Sequence, residues 1–280
     1  MNTSMSISAG SLRAYQQKLD TISNNIANVN TTGFKRREQS FSEILASQVN
    51  NQPRTDQELG RLTPNGIRVG YGTRTGLTQL DETQGQAIKT DNPLGMMIQG
   101  KGYFQISVPS QTPGAAREVR YTRDGNFQVS PNPDIPGMYN IVHPNGGYLL
   151  DQAGNPILLN DQYDVQVNSS GEILLKNKNG SGVPFNSGER VGIVEIQNPQ
   201  TLRGLGGNQF AIDPAAGGNA GVRMMGLDEV EVASGYLEGS NVDLTTEMSD
   251  LMLTQRGFQL NSRALSYSEQ MLGIANGIMK

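Results

Sequence analysis

The sequence lacks cysteine and tryptophan and contains a single histidine, His143. Without cysteine there can be no disulfide, no thiol nucleophile and no cysteine-ligated metal. His143 lies in VHPNGG, before a turn, with no serine or cysteine elbow, and this favours a surface or turn residue over a catalytic base. We therefore expect no enzymatic activity, no cofactor and no metal site.

The sequence also lacks long apolar runs and a strong excess of either charge. No stretch approaches the ~20 apolar residues of a membrane-spanning helix. The opening MNTSMSISAGSLRAYQQ has neither the basic nor the apolar region of a cleaved signal peptide. The 22 Lys and Arg residues against 26 Asp and Glu give a net charge of −4, without a basic footprint for nucleic acid. GYGTRTG and GLGGN lack the lysine of a phosphate-binding loop, and no small-molecule substrate is expected.

The N-terminal segment has an apolar pattern with alternating steps of three and four residues, which is typical of a coiled-coil seam. The seam consists of Leu12, Tyr15, Leu19, Ile22, Ile26 and Val29. The residues between them are mostly polar, so this helix has only a narrow apolar face.

The C-terminal segment has two adjacent apolar rows and no proline from Asn241 onward. The first row repeats every seventh residue, at Leu244, Leu251, Phe258, Leu265, Leu272 and Met279. The second row contains Leu253, Leu260, Ala264, Tyr267, Met271, Ile274 and Ile278. Two rows make a face wide enough for more than one neighbouring helix. Ser240, Asn241 and Asp243 are candidate N-terminal caps of this helix.

Between the two helices the pattern changes to short alternating runs separated by Asp-Gly, Asn-Gly, Gly-Gly and Ser-Gly turns, which predicts antiparallel β-structure. The fold class is therefore α+β, with a central antiparallel β domain and terminal helices that form a coiled-coil assembly domain. We divide the chain into an N-terminal assembly helix at 1–34, an extended connector at 35–86, a β-rich body at 87–239 and a C-terminal assembly helix at 240–280 that pairs with 1–34.

The stretch NNIANVNTTGFK follows the first apolar seam directly. Asn24, Asn25 and Asn28 suit helix capping and Asx turns, and Gly33 suits a chain reversal before Phe34. Isolated helices of this length are marginal in water, so the segment also fits a helix end that meets other copies of the chain. These amides are also expected to hydrogen-bond between subunits, a role supported by the family resemblance given below.

The terminal motifs LDTISNNIANVNTTGFKRREQSF and LEGSNVDLTTEMSDLMLTQRGFQLNSRALSYSEQMLGIANGIMK resemble the bacterial flagellar rod and hook family. The central motifs TPNGIRVGYGTR, MIQGKGYFQI, YTRDGNFQV and YLLDQAGNPI are similar to family motifs in the same order, and LTPNGIRVGYGTR favours the distal rod over the hook. In QRGF the family usually has alanine where Gly257 stands. Glycine costs about 1 kcal/mol in a helix interior, so the helix is either locally weak or closely packed there.

The resemblance implies a structural subunit of the flagellar basal body. Such a subunit is exported by the flagellar type III apparatus without a cleaved signal peptide and lies outside the cytoplasmic membrane. It polymerises with itself into a helical tube, next to other rod and hook proteins, and the tube transmits torque to the hook. The expected self-assembly residues are Leu12, Tyr15, Leu19, Ile22, Asn24, Asn25, Ile26, Asn28, Gly33, Phe34, Leu244, Leu251, Phe258, Leu265 and Leu272.

The residues alone leave a second interpretation open: an extracellular adhesin-like or carbohydrate-binding β protein with helical oligomerisation arms. Concentration-dependent helicity would distinguish it from an assembly subunit.

The remaining polar residues have simple interpretations. Asp124 and Asp151 are expected to be turn acids, and Arg13 with 35–37 is expected to form a solvated basic helix edge that can contact acids such as Glu43 or Glu247.

Overall fold

The structure, a computed structural model, describes residues 2–44, 46–49, 67–70, 72–109, 117–133, 135–160, 162–177, 184–212, 221–226, 229 and 231–278. The chain forms two compact units. A helical unit contains Met1–Ala27, Arg37–Gln79 and Asp243–Lys280, and a body contains Asn28–Arg36 and Leu80–Val242.

Two long helices dominate the helical unit: α1 spans Asn2–Ala27 and α2 spans Leu244–Ile278. They pack against each other in antiparallel fashion, because Asn25 near the end of α1 bonds to Glu247 in the first turn of α2. Asp243 caps α2, since its carboxylate accepts the Thr245 amide at 3.1 Å. These bonds lower the pKa of Asp243, with the Thr246 hydroxyl as the largest cause.

Four strands complete the helical unit: β1 (Arg37–Glu43), β2 (Ala46–Val49), β3 (Ile67–Gly70) and β4 (Thr73–Leu80). β1 pairs with β4, and β2 pairs antiparallel with β3. On the flank of α1, the Tyr15 and Phe41 rings meet edge to face at 5.3 Å, and Thr75 donates to Gln17 at 2.5 Å.

Much of the described part of the predicted connector therefore forms paired strands, and β1 lies beside α1. The sequence did not indicate this, because β1 and β4 are polar and mostly exposed. In the TPNGIRVGYGTR motif, residues 63–66 and Tyr71 lie outside the described residues, as does Met279 of the first α2 row.

The body is antiparallel β-structure, as predicted. Its strands are β5 (Ala87–Lys89), β6 (Met96–Gln99), β7 (Tyr103–Val108), β8 (Glu118–Thr122), β9 (Gln128–Pro131), β10 (Met138–Val142), β11 (Tyr148–Leu149), β12 (Leu158–Asn160), β13 (Tyr163–Val167), β14 (Glu172–Asn177), β15 (Phe185–Arg190), β16 (Ile193–Ile196), β17 (Leu202–Gly206), β18 (Gln209–Ile212), β19 (Val222–Met224), β20 (Glu231–Ser234) and β21 (Tyr236–Glu238).

A ten-stranded sheet contains the path β12-β10-β11-β7-β8-β18-β17, with β16 attached at β7, β19 attached at β16 and β9 attached at β10. β13-β14-β15 form a separate three-stranded sheet, and β20 pairs with β6 and β21 with β5. β7 is buried along its whole length. Because neighbouring strand residues face opposite sides, Phe104 and Ile106 enter the main core while Tyr103 enters a second, smaller one. The body therefore has its own hydrophobic core.

Candidate assembly surfaces

The first apolar row of α2 lies on the face toward α1. Leu251, Phe258, Leu265 and Leu272 are half-buried, and the buried polar residues Glu247 and Thr254 share their face. Leu244, in the first turn, is exposed. Most of the first row is therefore partly covered by contacts within the same chain.

The second row of α2 is left exposed over its whole length. The exposed fraction is 60% at Leu253, 66% at Leu260 and 66% at Tyr267. Met271, Ile274 and Ile278 continue the row, each more than half exposed. Single exposed apolar residues are ordinary on protein surfaces, but a contiguous apolar stripe marks an interaction surface. We call this stripe the outer row.

The apolar seam of α1 is only partly buried. Ile22 is 4% exposed, whereas Leu12, Tyr15, Leu19 and Ile26 are half-buried. Ala14 and Asn25 complete the buried face, and neither belongs to the predicted seam. The seam therefore lies along one edge of the buried face of α1. The pattern of large apolar residues did not reveal the rest of this face, because Ala14 is small and Asn25 is polar.

The surroundings of Gly257 in the QRGF motif decide between a locally weak helix and close packing. A Cβ at this position would lie 2.8 Å from the Tyr15 ring. Tyr15 therefore packs directly against the α2 backbone, and the glycine marks close packing of the two helices.

The asparagines have different environments. Asn24 is exposed and Asn28 is half-buried, and both have partners within the chain. Asn25 is 1% exposed, and its Nδ2 donates to the Arg37 carbonyl at 2.9 Å and to Glu247 Oε2 at 3.2 Å. Its Oδ1 accepts the Arg37 amide at 3.1 Å. With both N–H groups used, Asn25 has no donor left for the hydrogen bond we expected it to make with another subunit.

Gly33 and Phe34 are buried in the body. Gly33 has φ +67°, and its amide donates to the Glu238 carbonyl at 2.8 Å. A Cβ there would lie 2.7 Å from the carbonyl carbon of Arg123. Both the left-handed backbone and the close approach of a second chain segment require glycine at this position. Because both residues are enclosed by their own chain, an assembly role for them remains only a prediction.

Gly33→Ala should destabilise the body for these two reasons. A non-glycine residue at positive φ costs about 1–3 kcal/mol, and the Cβ would also displace the Arg123–Asp124 backbone. Thermal unfolding of the purified chain should show a lower transition for the body. Gly146→Ala is the matched control, because Gly146 also has positive φ but open space at its Cβ. Equal effects of the two changes would show that close packing at Gly33 contributes nothing.

Lys35 contradicts the expectation of a solvated basic edge. It is 2% exposed, and its Nζ lies 2.6 Å from Glu238 Oε1 and donates to the Thr83 carbonyl at 2.8 Å. Arg123 Nη1 lies 3.1 Å from Glu238 Oε2. Burial lowers the pKa of Lys35, and the hydrogen bond and charge of Glu238 oppose this. We call these three residues the buried ion cluster.

Asn241 ties the same region of the body together. Its Oδ1 accepts the Arg36 amide at 2.7 Å, and its Nδ2 donates to the Asp81 carbonyl at 3.0 Å. Asn241 was a candidate helix cap, but it joins the segments that lead to the two helices and leaves the cap to Asp243. With the buried ion cluster it holds 33–36, 81–85 and 238–241 together.

His143 begins a turn, as expected, since the Gly146 amide donates to its carbonyl at 2.8 Å, but its side chain is 2% exposed and not on the surface. Its Nδ1 accepts the Asn145 amide at 3.3 Å, which leaves Nε2 to donate to Asp124 at 3.2 Å. Asp124 also accepts the Thr32 hydroxyl at 3.0 Å. This group of side chains supports the turns around it. Among the described residues, no group of three acids or histidines has metal-binding geometry, and no helix is long and apolar enough to cross a membrane.

Three family models match the chain, and together they define its class as an axial protein of the bacterial flagellum. The model for the flagella basal body rod protein matches residues 5–35. The flagellar hook protein FlgE/F/G D1 domain matches residues 97–175. The flagellar basal body rod FlgEFG protein C-terminal model matches residues 233–278.

Similar proteins cover almost the whole chain. A protein from Bacillus subtilis strain 168 named flagellar hook-basal body complex protein FlhP is 34% identical over 99% of this chain and 100% of its own length. Proteins named flagellar basal-body rod protein FlgG are 33% identical over 94% of both chains in Caulobacter vibrioides and 30% identical over 99% of both in Agrobacterium fabrum. This chain belongs to the flagellar rod and hook family, and it is similar to FlgG rod proteins along nearly its whole length.

Proposed function

We propose that the chain is a structural, non-catalytic subunit of the flagellar basal-body rod, in its distal part, and that copies of it polymerise into a helical tube that transmits torque to the hook. The observation that carries the proposal is the outer row of α2. A row of large apolar side chains, each at least 60% exposed from Leu253 to Ile278, is costly in water unless another surface covers it.

The neighbouring copy supplies that cover in our proposal. The two rows of α2 are not adjacent as expected: the main residues of the outer row follow first-row residues by two positions, about 200° around the helix. The outer row therefore faces away from α1, and a helix of another copy can pack on it without displacing α1. The half-buried residues of the α1 seam, such as Leu12 and Leu19, offer the complementary surface on another copy. Asn25, Gly33 and Phe34 are left out of this interface because they are buried in their own chain.

The proposed function includes an export route, a location and neighbouring proteins for the subunit. The subunit leaves the cell through the flagellar type III export apparatus without a cleaved signal peptide and lies in the basal body, outside the cytoplasmic membrane. Its neighbours are other rod and hook proteins. The hydrophobic core of the body consists of body residues alone, so the body can refold by itself after export as an unfolded chain.

Deletion of the gene tests the function. We expect non-motile cells whose flagella stop before the hook, because the hook has no rod end to grow from. Electron microscopy of isolated basal bodies is the measurement, with the gene restored on a plasmid as control. Deletion cells that swim with complete hooks would refute the proposal and would leave the adhesin-like interpretation to be tested by glycan binding.

A further inference from the structure

We infer that Asn25 and Glu247 form a register lock, a buried polar pair that selects one alignment of α1 against α2. The pair lies inside the helical unit, and each residue is only 1% exposed. Their side chains bond directly at 3.2 Å although they are 222 residues apart in sequence. The inference concerns the single folded chain and does not depend on the proposed function.

The need for a lock follows from the heptad pattern itself. Leu251, Phe258, Leu265 and Leu272 repeat every seven residues along the inner face of α2. Sliding α1 by seven residues, about 10 Å along the axis, would place it opposite an almost identical series of leucine and phenylalanine side chains. Apolar contacts are non-directional and would discriminate poorly between these alignments.

The polar pair discriminates between helix alignments because its hydrogen bonds are all made in only one of them. In the observed alignment Asn25 bonds to Glu247 and to both backbone groups of Arg37. After the slip of one heptad that brings Ser11 level with Ser268, Asn25 would lie level with Thr254 and lose Glu247, and Glu247 would lie beyond the end of α1 at Ala27. An unsatisfied buried polar group costs more than its hydrogen bond gains when made. A single buried polar residue is known to fix register in helix pairs in this way.

The same amide also connects a third element. The Arg37 N–H and C=O that Asn25 bonds belong to the first residue of β1. Asn25 thus pairs with the backbone of β1 as a neighbouring strand would, and with the Glu247 side chain on α2. One side chain therefore sets where β1 starts relative to both helices.

Disulfide trapping can measure the register, since the chain has no native cysteine. The contacts Asn25–Glu247 and Tyr15–Gly257 share one antiparallel alignment, which places Ser11 level with Asn261. Ser11→Cys/Asn261→Cys therefore reports the native register, and Ser11→Cys/Ser268→Cys reports a slip of one heptad. All three positions are half-buried and tolerate a small side chain.

In the full-length purified chain we expect the native pair to oxidise roughly tenfold faster than the slipped pair, the factor given by about 1.4 kcal/mol. Adding Asn25→Leu/Glu247→Leu should bring the two rates within about threefold while the helices remain formed, because an apolar pair stabilises packing without selecting an alignment. Glu247→Gln keeps an acceptor for Asn25 and should retain the discrimination. Asn24→Leu, at the exposed neighbouring position, is the matched control and should also retain it.

Three results would overturn the inference. One is equal oxidation of the two pairs with Asn25 and Glu247 in place. The second is unchanged discrimination in the double-leucine chain. The third is loss of helical circular dichroism in that chain, since the pair would then hold the fold together and would not merely select its alignment.

Discussion

Glu238→Gln is expected to lower the stability of the body more than any other conservative change we consider. Glu238 neutralises both Lys35 and Arg123, and all three side chains are at least 98% buried. Removing its charge leaves two buried cations beside each other. Breaking a buried ion pair from one side costs about 3–5 kcal/mol, which for a unit of this size lowers the melting temperature by about 10 °C. Differential scanning calorimetry of the full chain measures the shift.

Two further variants separate charge from packing. Lys35→Met should cost less than Glu238→Gln, because Glu238 and Arg123 remain a balanced pair. Glu229→Gln is the control: it removes an acid that pairs with Arg223 at 3.0 Å but on the surface, where solvent screens the interaction. If Glu238→Gln shifts the transition no more than this control does, the buried ion cluster contributes little to stability.

The Glu238→Gln variant should also respond to alkaline pH. Burial lowers the pKa of Lys35, and Glu238 is the strongest group that raises it. Without Glu238 the pKa of Lys35 in the folded chain falls further below its unfolded value. The folded state then binds fewer protons than the unfolded state in that range, so rising pH favours folding. The deficit of the variant relative to wild type should therefore shrink as the pH rises toward the ordinary pKa of lysine.

Local sequence patterns predicted the elements but not their long-range polar contacts. The period of seven located α2 and distinguished its two rows, and turn dipeptides located the antiparallel body. Lys35 and Asn25 were assigned to solvent or to neighbouring subunits because polar residues usually lie outside. Their actual partners, Glu238 and Glu247, are more than 200 residues away in the sequence. No local pattern can show that a polar residue has such a partner.

The connector shows a second limit of pattern analysis. β1 reads REQSFSE and β4 reads TRTGLTQL, and neither presents a consistent apolar face. Their pairing is stabilised by backbone hydrogen bonds and by side-chain contacts with α1, such as Phe41 with Tyr15. Strand propensity depends strongly on such context. A polar strand that gains stability from a neighbouring helix is therefore hard to distinguish from a loop by sequence alone.

The outer row gives the second large effect: Leu260→Asp or Tyr267→Asp should abolish incorporation into the rod while leaving the isolated chain folded. Both side chains are 66% exposed in the single chain, so a carboxylate there stays hydrated and changes its stability by no more than about 0.5 kcal/mol. In a polymer that covers the row, the same carboxylate would be buried without a partner, which costs several kcal/mol per subunit. Because the cost recurs at every subunit, the polymer should not form.

Two comparisons make this test specific. Gln259→Asp adds the same charge at an exposed site away from the outer row, and we expect normal motility. Ile22→Asp and Leu265→Asp should also block assembly and leave the body folded, but Ile22 is only 4% exposed within its own helical unit. Ile22→Asp should therefore also lower the helical signal of the isolated chain, which Leu260→Asp should not. If Leu260→Asp and Tyr267→Asp subunits enter basal bodies as well as Gln259→Asp subunits do, the outer row stays in water in the assembled rod, and another surface must hold the copies together.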